Sequence, residues 1–314
     1  MTTESKTKTP TTGTAGWAGM SFIRRHPLLS FFVLAYALSW AAIPAWALGF
    51  WPNPIFSFGP FLAALVALGL TQGKGGVGGL LRSMVHWRVG LRWYAAAILL
   101  PAGLALAATA LNVVLGARTP SSDELGGWTG LLPSFFLILL IPGMGGAWEE
   151  PGWRGYALPR LQSGRSALLA SLILGALWAL WHLPLMWVGQ VHYSDVTLVI
   201  AAAIVSTWLF NGAEGSVLLL MLMHAMNNTV SGGFFSPMFS GADSVRQSWL
   251  LAAVWCAVAI VMVVVAGPRH LSRRNKKRVE EQVDAARLAV AMGPAGDGAS
   301  KGGERQEISG STGL

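Results

Sequence analysis

The sequence is short of charge and nearly free of cysteine. Of its 314 residues only 11% are Asp, Glu, Lys or Arg, against about a quarter in ordinary soluble domains. Hydrophobic residues make up 53%, and mean hydropathy is +0.52. This excludes a conventional water-soluble domain and points to a chain that crosses a membrane several times. The single cysteine, Cys256, lies in the apolar run AAVWCAVAIV, which excludes an internal disulfide and a thiolate zinc site. Acidic residues are scarce, 14 against 22 basic ones, for a net charge of +8. The cations form no stripe on a soluble face, so the sequence gives no reason to expect nucleic acid as a partner. They gather just outside the apolar runs, as cytoplasmic loops do.

What the chain does have is a series of such runs. A spanning helix needs roughly 20 mostly apolar residues. On that rule spans fall at about 28–50, 54–72, 93–116, 131–150, 166–188, 196–212, 215–233 and 248–266. The expectation is an all-α, polytopic membrane bundle of about eight transmembrane helices, within a membrane domain over 21–268. Residues 1–20, rich in Thr and Gly, read as a disordered cytoplasmic N-terminus, and 269–314 as a basic, largely disordered cytoplasmic tail. Lys6, Lys8, Arg24, Arg25, Lys74, Arg82, Arg88, Arg92, Arg154, Arg160, Arg165 and the tail cations fall on one side. The opposite loops hold only Arg118 and Arg246. This asymmetry predicts an even number of spans in the cell membrane with both termini cytoplasmic. The mixed apolar and basic stretch 73–93 predicts an interfacial helix on anionic headgroups.

Ionisable groups inside spans are expensive and by default mark function. Three clusters stand out: Glu149, Glu150 and Arg154; Trp178 and His182; and His224, Asn227 and Asn228. Glu150–Arg154, Trp178–His182 and His224–Asn228 are i,i+4 pairs, so each shares a helix face, and Asn227 is expected to turn aside. Taking Gln162-Ser163-Gly164 as a hairpin turn, Glu149 and His182 lie roughly 20 and 27 Å from it along their helices. His224 lies about 14 Å beyond Gly215 on the same side. Glu, His, His and Asn can therefore meet, and the catalytic core is placed within 130–235. A buried carboxylate beside a His can deprotonate water. A second His with an Asn offers donors to a developing oxyanion. No Ser or Cys sits at a matching position, so direct water attack on a peptide bond is the chemistry inferred. A structural reading stands beside it: Glu150 and Arg154 as an ion pair, Trp178 as packing. His26, His86, His192 and His270 read as surface residues, and Glu214 as a solvated loop charge.

The clusters Glu149-Glu150-Pro-Gly-Trp-Arg154, Trp178-Ala-Leu-Trp-His182 and His224-Ala-Met-Asn-Asn228 resemble the EExxxR, FxxxH and HxxxN motifs of one family. It is the CAAX protease and bacteriocin-processing (CPBP, or Abi) family of intramembrane endopeptidases, which includes the type II CAAX prenyl endopeptidases. Trp178 stands where Phe is usual. The resemblance implies that Glu149 and His182 activate water, that His224 and Asn228 form the oxyanion site, and that Glu150, Arg154 and Trp178 support them. It implies a membrane-embedded or lipid-anchored peptide as substrate, prenylated or bacteriocin-like. No cofactor is favoured. Zinc held by Glu149, His182 and His224 is the metal alternative, although no HExxH is present. Two other functions compete: a proton-coupled transporter using the same Glu and His residues, and a catalytically silent scaffold or immunity protein.

Overall fold

The computed structural model describes residues 22–272; the expectations for 1–20 and for the tail cations from Arg273 onward lie outside it. Among the described residues every regular element is helical. The principal helices are α1 (Pro27–Trp40), α2 (Gly59–Met84), α3 (Leu91–Val114), α4 (Leu131–Leu140), α5 (Ala167–Trp181), α6 (Asp195–Gly212), α7 (Val217–Asn227) and α8 (Gly241–Ala266). Local chemistry sets several of their ends. Pro27 and Pro60 sit in the first turns of α1 and α2, where a missing N–H costs nothing. Ser166 and Ser216 cap α5 and α7 by accepting from the backbone N–H of Leu169 and Leu219.

Five helices among the described residues are long and apolar enough to cross a membrane: Pro27–Ala47 (α1 with the short helix after it), α2, α3, α6 and α8. The chain is a membrane protein built as an α-helical bundle. The other three expected spans appear as the shorter helices α4, α5 and α7, each ending beside one of the polar clusters. The helix expected over 73–93 takes a different form. α2 is interrupted at Gly73 (φ 61°, ψ −152°) and runs on only to Met84, and Leu91 already begins α3. Glycine permits that backbone where a side chain would be strained.

α6 is the axis of the bundle. Of its most apolar stretch 67% is buried, against 17–39% for the other four long helices, and it packs against α5, α7 and α8. Small residues let α5 and α6 approach: a Cβ on Gly175 would stand 2.9 Å from the Ile200 Cα. Polar bonds join the helices where no water can. Ser171 Oγ donates to Thr207 Oγ1 at 2.7 Å. The Gln162 and Asn211 amides bond reciprocally, and Asn211 also donates to the His270 carbonyl. The turn at 163–165 between the Leu158–Gln162 helix and α5 is the one expected.

The loop histidines are less exposed than their positions suggested. His26 is exposed, whereas His86, His192 and His270 are half-buried. The reason is local: the His86 carbonyl accepts from the cap residue Ser216, and the His192 ring packs against Trp249. Glu214 is exposed, at a positive φ of 58° in the α6–α7 turn. In the loop after α3, Ser121 and Glu124 form a capping box. The Arg118 side chain and the Ser121 backbone, each hydrogen-bonded to Glu124, hold its carboxyl down to about 2, so that it stays ionised at neutral pH. Arg118 also donates to the Met238 carbonyl, tying this loop to the segment before α8.

Gly59 marks where α2 meets α1. A Cβ there would fall 2.0 Å from Ser39 Oγ and 2.8 Å from the Ser39 backbone nitrogen. Gly59→Ala is expected to destabilise the bundle by about 1–3 kcal/mol, the usual cost of overpacking. Thermal unfolding in detergent reads this directly, and an unchanged Tm would show that the two helices can separate freely.

Candidate active site

The first cluster sits on a broken stretch of chain. α4 stops at Leu140 because Pro142, Gly143, Gly145 and Gly146 follow, with Gly143 at a positive φ of 91°. The chain then forms a 3-10 turn (Gly146–Glu149), a π-helix (Pro151–Ala157) and the short helix Leu158–Gln162. The span expected at 131–150 is therefore not continuous. The break lies at 141–145. Pro151 opens the π-helix, where its missing N–H is harmless.

Glu149 and Glu150 are both buried, 4% and 2% exposed, and they face different partners. Glu149 Oε2 accepts from two indoles, Trp178 Nε1 at 2.8 Å and Trp153 Nε1 at 3.2 Å. Its Oε1 accepts from no donor among the described residues. Glu150 Oε1 accepts from Arg154 Nη1 at 2.9 Å and lies 2.7 Å from His224 Nδ1. The expected i,i+4 ion pair is thus present, and it extends to a second helix. Arg154 is fully buried, its guanidinium 4.1 Å from the centre of the Trp178 ring.

His182 ends α5, with Pro184 close behind opposing continuation of the helix. Its Nδ1 lies 3.1 Å from the Trp178 carbonyl and 3.8 Å from Asp195 Oδ2. His224 projects from the last turn of α7 against Gly146, where a Cβ would come within 2.0 Å of its Nε2. That contact requires glycine. The Trp178 ring centre lies 5.7 Å from the ring of His182 and 5.6 Å from that of His224. Asn228 opens a second π-helix, Asn228–Phe235.

These side chains surround one cavity of about 80 Å³, room for several waters. Glu150, Trp178, His182, Asp195, His224, Asn227 and Asn228 line it, with apolar residues of α6 and α7 and Trp255 of α8. Two expectations need correction. Asn227 does not turn aside; the change to π spacing at Asn228 brings both asparagines to the cavity, where Asn227 Nδ2 is 3.4 Å from Asn228 Oδ1. Glu149 is not in the lining itself. It is tied to the Trp178 indole that forms the wall, with His182 and His224 within electrostatic reach of its carboxylate.

Sequence reasoning missed two residues. Trp153 lies four residues after Glu149 and could have been found by that spacing. Asp195, an acid heading the apolar run of α6, carried the same signal as the glutamates. The zinc alternative does not fit this arrangement. Among the described residues no three His, Cys, Asp or Glu side chains gather as a metal requires.

Comparison with known proteins bears on the same segment. A family model for type II CAAX prenyl endopeptidase, Rce1-like, matches residues 129–230. That range contains all three clusters. The CAAX prenyl protease 2 of Methanococcus maripaludis is 30% identical over 146 residues, 42% of this chain and 52% of that protein. The chain thus spans about half the length of this relative. Residues 129–230, the segment that carries the cavity, are thus similar to the Rce1-like type II CAAX prenyl endopeptidases, the family the motifs resemble.

Proposed function

We propose that the protein is an intramembrane endopeptidase that hydrolyses a peptide bond of a membrane-embedded or lipid-anchored substrate by direct attack of water. One observation carries the reading: the adjacent carboxylates each receive a donor from a different motif, Glu149 from Trp178 and Glu150 from His224. Three weak motifs thereby become one centre. The name of the archaeal relative suggests a prenylated peptide; a bacteriocin-like leader is the other substrate to try.

In this mechanism the two indoles hold Glu149 by Oε2 and leave Oε1 to take a proton from water. His182 shares that work. Its Nδ1 faces only acceptors, a carbonyl and a carboxylate, so Nδ1 carries the proton and Nε2 is free to bind water. On the other side, His224 Nδ1 donates to the Glu150 carboxylate. Its Nε2 can donate as well only as an imidazolium. With the Asn228 amide it stabilises the oxyanion of the tetrahedral intermediate. The proton taken from water then passes to the leaving amine. Both termini face the cytoplasm in this reading, on the strength of the charge asymmetry, and no metal takes part. Broken helices around a polar cavity are also a transporter feature, but nothing in the matched family favours that role.

The test is cleavage of a panel of prenylated CAAX-like and membrane-anchored peptides by purified protein. Glu149→Gln is expected to lower kcat by about 100- to 10,000-fold, the range for a positioned general base, with Tm little changed. Turnover should survive a strong zinc chelator; sensitivity to it would overturn the metal-free mechanism. Proton flux into liposomes that disappears in Glu149→Gln, with no peptide cleaved, would replace the protease by a transporter.

Glu150→Gln is expected to behave differently. It leaves Arg154 as an uncompensated buried charge, at a cost of about 3–5 kcal/mol, so Tm and activity should fall together. Gly146→Ala would intrude on His224 Nε2, and the loss of one oxyanion donor corresponds to a fall in kcat of about 100-fold or more. Wild-type turnover in either variant would show that the interaction it removes is dispensable.

A further inference from the structure

Asp195 is a half-buried acid without a task in that mechanism. It is the first residue of α6, on a different element from any of the three motifs, and it lines the same cavity. Its Oδ2 is fully buried and accepts no hydrogen bond. A carboxylate oxygen in that condition is costly, and native structures rarely keep one without a role. Its nearest basic neighbour is His182, whose Nδ1 is 3.8 Å away. That is longer than a hydrogen bond, yet catalytic bonds are often long before substrate binds and shorten in the complex.

We infer that Asp195 is a positioning residue for His182: its carboxylate accepts from the Nδ1–H, fixes the ring and steadies the imidazolium that forms when Nε2 takes a proton from water. The Trp178 carbonyl at 3.1 Å also holds Nδ1. It orients the ring but, being neutral, cannot balance a charge. The two acceptors therefore divide the work: both hold the Nδ1–H, and the carboxylate alone balances the charge that forms. The arrangement is that of a carboxylate behind a catalytic histidine, assembled here from the end of α5 and the start of α6. No bond to Asp195 breaks and no proton leaves it.

The kinetic part of this inference rests on the endopeptidase reading; the structural part does not. Asp195→Ala, Asp195→Glu and wild type are compared by turnover, by thermal unfolding and by the NMR signal of the His182 Nδ1 proton in histidine-labelled protein. His182→Gln identifies that signal by its disappearance. In wild type the proton should resonate far downfield, as one bonded to a carboxylate does; it should move upfield in Asp195→Ala and return in Asp195→Glu. Turnover in Asp195→Ala should fall about 100-fold in kcat, at the lower end for positioned proton-transfer groups. KM and Tm should be nearly unchanged, and Asp195→Glu should recover most of the loss.

An identical Nδ1 signal in wild type and Asp195→Ala would overturn the inference. So would a kcat loss that tracks a lower Tm and is not rescued by Glu. If wild type cleaves nothing, the endopeptidase reading fails by itself, and the NMR comparison still decides whether Asp195 holds His182.

Discussion

Arg154 is a fully buried guanidinium in a bundle made of apolar helices, and the site is organised around making that tolerable. Removing such an ion from water costs several kcal/mol even after relaxation. Glu150 offsets part of this through a charge-assisted bond at 2.9 Å, and the Trp178 face offsets more at 4.1 Å. The compensation is shared outward. Glu150 also holds His224 on α7, and Trp178 on α5 also holds Glu149. Helices that are not neighbours in sequence are thus locked to one short segment. The structural and catalytic readings of Glu150 and Arg154 turn out not to be rivals. The ion pair orients the groups that would do the chemistry, and it does so because neither partner has anywhere else to place its charge.

The same economy explains the broken helices. Inside a bilayer, backbone that leaves the regular helix is tolerated only where protein or a cavity satisfies it. Here the irregularities fall beside the polar clusters: the 3-10 turn and π-helix around Glu149–Arg154, the stop at His182, and the π-helix from Asn228. Each changes how a side chain is aimed. Gly146 lets a backbone turn touch the His224 ring, and the π spacing after Asn227 sends two consecutive asparagines toward one space. A regular helix would have sent one of them away.

These are also the features that sequence pattern could not supply. The composition and the apolar runs gave the membrane bundle, and the i,i+4 spacing with depth arithmetic brought Glu, His, His and Asn to one level. Periodicity assumes regular helices, however. It therefore failed where the helices are irregular, at 141–145, at Asn227 and across 73–93. Asp195 escaped for another reason: an acid at the head of a helix is so ordinary a cap or dipole partner that only its distance to His182 distinguishes it.

Trp178 shows how one departure from a motif can change what the motif does. A Phe at this position would fill the wall of the cavity and could face Arg154, but it has no hydrogen to donate. The indole gives Glu149 Oε2 its shorter bond, 2.8 Å, and Trp153 adds a second to the same oxygen. Two neutral donors on one oxygen fix the carboxylate without neutralising it, as a lysine or arginine would. In the proposed mechanism the free oxygen is then a base of defined direction. The cation that the site does contain is spent on Glu150 instead. Adjacent carboxylates in one low-dielectric pocket thus acquire different characters, one charge-paired and structural, the other held by indoles and available. Two adjacent acids in so acid-poor a chain make sense only if they are not duplicates.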